Sequence, residues 1–261
     1  MIVHNTYVTC YADEMKFIIS FFILIFISSA HAFINVESVR QIQGKGFIGR
    51  SALQTSGQQG NTDKFTSAFT TIGAYRLDHN EWLYSGNYKY GTSAKVKDTN
   101  LGIAHLRHTW NYQKPLAYEM FAQSEFNEFK DLNSRHFLGG NFRFRLKQTE
   151  TYFIYSGVGT FYEWEDFGDN TKDRNHFRGN IYLSYVQNLK KNISAFGTLY
   201  YQPLLSNTGN HRLRFQSGVD IKLTNILSVG ISFNVNHDTG VPKGVKYTDI
   251  DYLVGFGVTY F

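Results

Sequence analysis

From about Phe47 to the C-terminus, apolar and polar residues alternate with a period of two, as in β-strands whose two faces meet different surroundings. Between residues 226 and 238, Leu227, Val229, Ile231, Phe233 and Val235 share one face. Ser228, Gly230, Ser232, Asn234, Asn236 and Asp238 share the other. The last segment sets Ile250, Tyr252, Val254, Phe256, Val258 and Tyr260 against Asp249, Asp251, Gly255, Gly257 and Thr259. Residues 134–147 set His136, Leu138, Gly140, Phe142, Phe144 and Leu146 against Arg135, Gly139, Asn141, Arg143, Arg145 and Lys147. Eleven breaks rich in Gly, Asn, Asp, Lys or Pro interrupt the alternation, near 57–61, 77–80, 94–98, 113–115, 130–133, 147–149, 168–170, 190–192, 207–210, 224–225 and 239–242. Such residues supply the positive φ, side-chain-to-backbone bonds or fixed φ that tight turns need. The breaks predict about twelve antiparallel strands, each with its connection taking roughly nineteen residues, enough to cross a bilayer obliquely. No helical period and no linker interrupts this run.

One stretch departs from the pattern. Phe17–Ile27 is continuously apolar, follows Lys16 and leads into Ser28-Ser29-Ala30-His31-Ala32. It is too short to span a bilayer as a helix. A basic residue, a short apolar run and a small-x-small end predict a secretory signal peptide over residues 15–32, cleaved after Ala32. Asp13 and Glu14 would spoil a basic leader starting at Met1, so residues 1–14 are expected to be an upstream extension and Met15 the start. Residues 33–45 are then a periplasmic lead, and 46–261 the barrel.

Composition sharpens the class. Aromatic residues make up 17% of the chain, with 18 Tyr and 23 Phe against 3 Pro, which favours sheet over helix. Mean hydropathy is −0.32, so no bundle of apolar helices is present in the pattern. The single cysteine, Cys10, falls before the expected cleavage site, which leaves no disulfide, thiolate metal site or cysteine nucleophile. The net charge of +5 is spread without a basic stripe, and no nucleic-acid partner is expected.

A soluble sandwich could also alternate. Three features favour a membrane barrel: the leader, the even strand count, and Trp82, Trp110, Tyr112, Tyr118, Tyr152, Tyr162 and Trp164 placed toward strand ends on the apolar face. Aromatic rings at both ends match the girdles of outer-membrane barrels. In lipid every backbone amide needs a partner, so the sheet must close. The fold class expected is therefore all-β: a closed antiparallel transmembrane β-barrel in a bacterial-type outer membrane. Its partners would be outer-membrane lipids and lipopolysaccharide, the barrel-assembly machinery, and small solutes. With the N-terminus on the periplasmic side, the connections near 58–61, 94–98, 130–133, 166–173, 206–210 and 239–245 would face outward. All are short, which argues against a large receptor or adhesin.

The run Gln123-x-Glu125-x-Asn127-x-Phe129-x-x-Leu132-x-x-Arg135, followed by Gly139-Gly140 and Arg143, resembles the family called domain of unknown function 481, some members of which are labelled salt-induced outer-membrane proteins. Gly60-Asn61-Thr62 and the terminal aromatic strand are also similar to it. The resemblance implies an outer-membrane barrel and no assigned activity.

The polar face carries the candidate chemistry. Glu119, Gln123, Glu125 and Asn127 lie on one strand and Arg135, Arg143 and Arg145 on the next. Glu163, Glu165, Arg174, Arg178, Arg212 and Arg214 continue the series, with His176 between. A hairpin near Lys130–Asn133 would bring Glu119 to Arg143 or Arg145 and set Glu125 across from Gly139. Glu163 and Glu165 would face Arg174, His176 and Arg178. These residues form a charge ladder inside the barrel, either a selective eyelet or a set of salt bridges that neutralise and fill the lumen. About twelve strands lie between a filled eight-stranded interior and an open sixteen-stranded channel, so a narrow or plugged pore is expected.

No catalytic site, cofactor or metal is expected. His237 and Ser232 point to opposite faces by parity, and no triad order can be read. Asp238, Asp249 and Asp251 share one face of the final hairpin, a set that could hold Ca²⁺ or be neutralised by Lys243 or Lys246. The expected function is a non-enzymatic outer-membrane protein, either a narrow passive-diffusion pore or an envelope-integrity component. The alternative is a lipid- or lipopolysaccharide-modifying hydrolase or acyltransferase.

Overall fold

The computed structural model describes residues 45–60, 63–168 and 173–260. The expected extension, leader and cleavage site, nearly all of the lead, and Phe261 lie outside the described residues. Twelve strands follow in order: β1 (Gly46–Gln58), β2 (Lys64–Arg76), β3 (Asn80–Ser93), β4 (Val96–Trp110), β5 (Leu116–Asn127), β6 (Leu132–Gln148), β7 (Tyr152–Phe167), β8 (Arg174–Lys190), β9 (Ile193–Leu204), β10 (Asn207–Lys222), β11 (Leu227–Asp238) and β12 (Thr248–Tyr260). Each pairs antiparallel with its sequence neighbours, and β1 meets β12 through Gly49–Tyr260, Arg50–Thr259 and Ser51–Val258. The sheet is a closed barrel, as the alternation and the connections anticipate.

The period-two pattern sorts the faces as expected, with an inversion of the soluble rule. Leu106, Phe142, Ile181, Leu183, Phe233 and Phe256 point outward and are exposed. Arg178, Lys89, Glu81, Glu163, Asn180 and Asn234 are among the largest fully enclosed side chains. Water would drive the first set inward; a hydrocarbon surround makes this arrangement the stable one. Aromatic clusters mark both ends of the wall. The ring of His108 stacks on Trp82 at 4.2 Å and meets Trp110 edge-on at 4.0 Å, near the connections at 77–79 and 111–115. Tyr162 packs on Trp164 and Phe177, each at 4.7 Å, near the connection at 168–173.

Several connections differ from their expected positions: the break expected at 94–98 is the two-residue turn Ala94-Lys95, with Val96 to Asp98 already in β4. The break expected at 207–210 lies inside β10; the turn is Leu205-Ser206. Asn207 Oδ1 accepts from Gly209 N at 3.2 Å, so the polar run makes a local loop within the strand, and the pairing with β9 shifts between Asn207 and His211. The β5–β6 turn begins earlier than 130–133. A 3₁₀ turn, Glu128–Lys130, is capped by Asn127, whose side chain accepts from Phe129 N at 3.2 Å, and Asp131 closes it at φ 52°. Leu132 is therefore already in β6, which moves the register of the hairpin.

Gly157 permits a close approach inside the barrel. A Cβ on Gly157 would overlap the ring of Tyr182, which lies across it from β8.

Candidate functional site

The inward residues of β5–β8 and β10 form two polar layers separated by phenylalanines. Along β5 the order is Glu125, Gln123, Phe121, Glu119; along β7 it is Glu165, Glu163, Phe161. Phe121, Phe137 and Phe161 meet in a buried cluster, with Phe137 and Phe161 ring centroids 4.9 Å apart.

The first layer is the ladder. Glu163, fully enclosed, accepts from Arg178 Nε at 2.8 Å and from Arg212 Nη2 at 3.3 Å, and lies 2.6 Å from His176 Nε2. Glu165 accepts from Arg135 at 2.7 Å and from Arg212 Nη2 at 2.6 Å. Arg135 also donates to Glu125 at 2.5 Å, and Arg214 Nη2 reaches the same carboxylate at 3.3 and 3.4 Å. Arg212 Nε donates to Asp238 Oδ2 at 2.7 Å. Four guanidiniums thus interlock with four carboxylates across β5, β6, β7, β8, β10 and β11. A buried carboxylate is tolerable only when paired and hydrogen-bonded, and every carboxylate here has a guanidinium partner.

The second layer centres on Glu119. It accepts from Tyr182 Oη at 2.8 Å, from Asn141 Nδ2 at 3.3 Å and from Arg107 Nη1 at 3.5 Å, and Arg143 Nε lies 3.8 Å away. Asn180 donates to Asn141, and Gln202 donates to Asn180, at 3.0 and 3.1 Å. Arg143 stacks over Tyr155 at 3.8 Å.

Several expectations need correction. Glu125 pairs with Arg135 in register, not with Gly139, and Asn141 stands opposite Glu119, because the 3₁₀ turn brings the two strands together earlier. Arg143 approaches Glu119 diagonally, but Arg145 turns to the rim and donates to the carbonyl of Gln113. Arg174 pairs in register with Glu165, yet its side chain donates to the carbonyl of Gly240 at 2.6 Å and lies over the Phe167 ring. Asn127 is a turn cap. Gln123 donates to Glu125 at 2.8 Å, and its carbonyl oxygen faces His105 Nδ1 at 3.0 Å. The expected contacts of Glu163 with His176 and Arg178 are present. Arg107, Asn180, Tyr182 and Gln202 were not singled out. They share the inward parity of β4, β8 and β9, which is the signal that could have found them.

The acidic trio of the final hairpin does not converge. Asp238 is engaged by Arg212 and by Gly240 N at 2.8 Å, and Asp249 pairs with Lys130 rather than Lys243 or Lys246. Glu163, Glu165 and His176 do bring ligand atoms within 4.8 Å of one another, but Arg135, Arg178 and Arg212 bond those carboxylates and oppose a dication. His237 and Ser232 stay on opposite faces; His237 faces outward beside His211 and bonds Thr248 Oγ1 at 2.8 Å.

A vestibule of about 350 Å³ opens at the end that carries the connections 94–95, 128–131 and 239–247. Asp98, Lys130 and Asp249 line its wall, Pro242 its rim, and Arg135 and Arg214 its floor. Outside the strands at this end, Glu128 accepts from Asn100 at 2.8 Å and pairs with Lys97 at 2.6 Å, which holds its carboxyl below the ordinary value.

Solved structures that the chain is similar to include the translocator domain of the autotransporter NalP from Neisseria meningitidis, at 13% identity over 87% of this chain and 93% of that one, TM-score 0.49. The NanC porin is 7% identical over 81% and 98%, TM-score 0.51. The KdgM porin is 11% identical over 82% and 99%, TM-score 0.46. At these identities the likeness concerns the fold. No curated protein gives a significant match. The sequence pattern of the family described as "Protein of unknown function, DUF481" matches residues 53–260, nearly the whole barrel, and the chain belongs to that family.

Proposed function

We propose that this protein is a non-enzymatic outer-membrane barrel that forms a constricted passage for small polar solutes. The carrying observation is a pair of cavities in series along the lumen. The vestibule reaches down to Ile103 and Arg214, and the same two residues border a smaller cavity beneath it. The interlocked ladder narrows the lumen between and beside them, so the passage would admit small solutes slowly and discriminate weakly by charge. The exposed apolar wall would meet lipid, the vestibule end would face lipopolysaccharide and the outside, and the aromatic β12 would engage the barrel-assembly machinery during insertion.

The test is single-channel conductance of the folded, heat-modifiable protein in a planar bilayer. Small, discrete, salt-dependent steps are expected, and larger steps in Glu163→Gln, whose loss loosens the ladder. Silence from folded wild type and from the folded variant would overturn the passage and leave a sealed barrel with a role in envelope integrity.

A further inference from the structure

At the vestibule end of the wall, two histidines stand on the outer face of neighbouring strands. Parity places His211 with Leu213 and Phe215 on β10, and His237 with Phe233 and Val235 on β11, so each is a polar residue at the end of an apolar face. Their ring centroids lie 5.8 Å apart, with the planes at 36°. Tyr201 flanks His211 at 5.7 Å, and Tyr247 flanks His237 at 6.5 Å. We propose that His211 and His237 form a binding site for a divalent transition-metal ion of the class of copper or zinc.

Three observations support the assignment. The first is the spacing. An imidazole nitrogen binds such an ion at about 2.0–2.1 Å, which sets the centroids of two rings on one ion about 5–6.5 Å apart. The second is that both rings are oriented through Nδ1. His211 Nδ1 lies 3.1 Å from the carbonyl oxygen of Gly209, and His237 Nδ1 lies 2.8 Å from Thr248 Oγ1. A carbonyl only accepts, so neutral His211 carries its proton on Nδ1 and presents the lone pair of Nε2; the Thr248 hydroxyl can hold His237 in the same way. Donation through one ring nitrogen and ligation through the other is the usual arrangement of a metal-bound histidine. Among the described residues no group bonds Nε2 of His211 or of His237. The third is the irregular start of β10. The local loop at Asn207–Asn210, which shifts the pairing with β9, brings the Gly209 carbonyl to the His211 ring. Thr239 fixes that loop: its hydroxyl lies 2.8 Å from His211 N and 3.2 Å from Gly209 O. Irregularities of this kind re-aim side chains beside functional sites. The ligand type then limits the ion. Imidazole suits copper and zinc, whereas calcium and magnesium take oxygen ligands. The site lies on the outer wall and does not depend on whether the lumen conducts.

The experiment is a Cu²⁺ titration of the untagged, heat-modifiable barrel in a zwitterionic detergent, read by pulsed electron paramagnetic resonance with Zn²⁺ as competitor. One saturable copper site that carries two imidazoles and is displaced by zinc is expected. His211→Asn and His237→Asn should each leave one imidazole and lower the copper affinity by about a hundredfold, because the second ligand acts at high effective concentration. Thr248→Val removes the oxygen that orients His237 and no ligand, so it should keep the two-imidazole signature and weaken binding about tenfold. His136→Asn, on the exposed face of β6, should leave binding unchanged. Absence of a two-imidazole, zinc-displaceable signal in folded wild type overturns the site, and this arm stands even if a variant fails to fold. The same signal retained in folded His211→Asn or His237→Asn also overturns it. Because the readout is equilibrium binding on the wall, a silent bilayer does not touch it, and a conducting protein without the copper signal leaves the passage intact and removes the site.

Discussion

Replacing Glu163 with glutamine removes one charge from the most enclosed point of the lumen. The carboxylate has no accessible surface and is bonded by Arg178 and Arg212, with His176 beside it and Arg135 Nε at 3.7 Å. Breaking a buried pair by removing one partner costs about 3–5 kcal/mol, because the remaining charges lose their compensation. Glutamine keeps one acceptor oxygen, worth about 1 kcal/mol, and turns its NH₂ toward guanidinium donors that it cannot satisfy. The net destabilisation expected is about 3 kcal/mol. Urea unfolding in thin lipid vesicles, followed by the fluorescence of Trp82, Trp110 and Trp164, measures it, with heat-modified gel mobility as the folding control. A cost below about 1 kcal/mol, the value of a solvent-screened pair, would refute the reasoning. The ladder would then be wet, and the lumen wider than the interlocked side chains imply. The same variant paired with Arg178→Gln in a double-mutant cycle should show a coupling of about 1–3 kcal/mol.

Other outcomes follow from local geometry. Leu138→Arg, on the exposed face of β6, should cost about 2–4 kcal/mol in vesicles if that face meets the bilayer midplane, and urea midpoints against wild type would register it. Gly157→Ala should destabilise by about 1–3 kcal/mol, because the new methyl displaces the Tyr182 ring that bonds Glu119. Ala94 and Lys95 carry the β3–β4 turn at φ 49° and 63°. Exchanging them for Asn and Gly should stabilise by roughly 1 kcal/mol, since both turn residues sit in the left-handed region. Glu128 has a folded pKa below its unfolded value, so its contribution is present above about pH 4.3 and is lost as pH falls through the folded value. Carboxyl chemical shifts should therefore show the Lys97–Glu128 contact intact at pH 5.

The barrel was legible because its strongest determinant is local. Side-chain parity needs no knowledge of partners: once Arg135, Asn141 and Arg143 oppose Leu138, Phe142 and Phe144, one set must be lumen and the other wall. Most connections follow from turn chemistry within a few residues. The exception at Asn207–Asn210 shows the limit of that signal. The same Asx bond that starts a turn is equally available inside a strand, and only the pairing with β9 decides between them.

The site was harder to read because charge partners depend on register and on the far wall. A shift of four residues in the β5–β6 register exchanges Gly139 for Arg135 as the neighbour of Glu125, and that shift originates in the 3₁₀ turn capped by Asn127. Contacts across the lumen carry no sequence signal at all. Arg212 reaches Glu163 over 49 residues, and Tyr182 reaches Glu119 over 63. These contacts bind non-adjacent strands into one unit, so they couple the filling of the lumen to the shape of the barrel. A ladder confined to neighbouring strands would stabilise hairpins and leave the lumen open. A ladder that spans it makes stability and constriction the same property, which is why a folded Glu163→Gln barrel should be both less stable and more conductive. A variant that loses stability without gaining conductance would separate the two and place the constriction in the Glu119 layer instead.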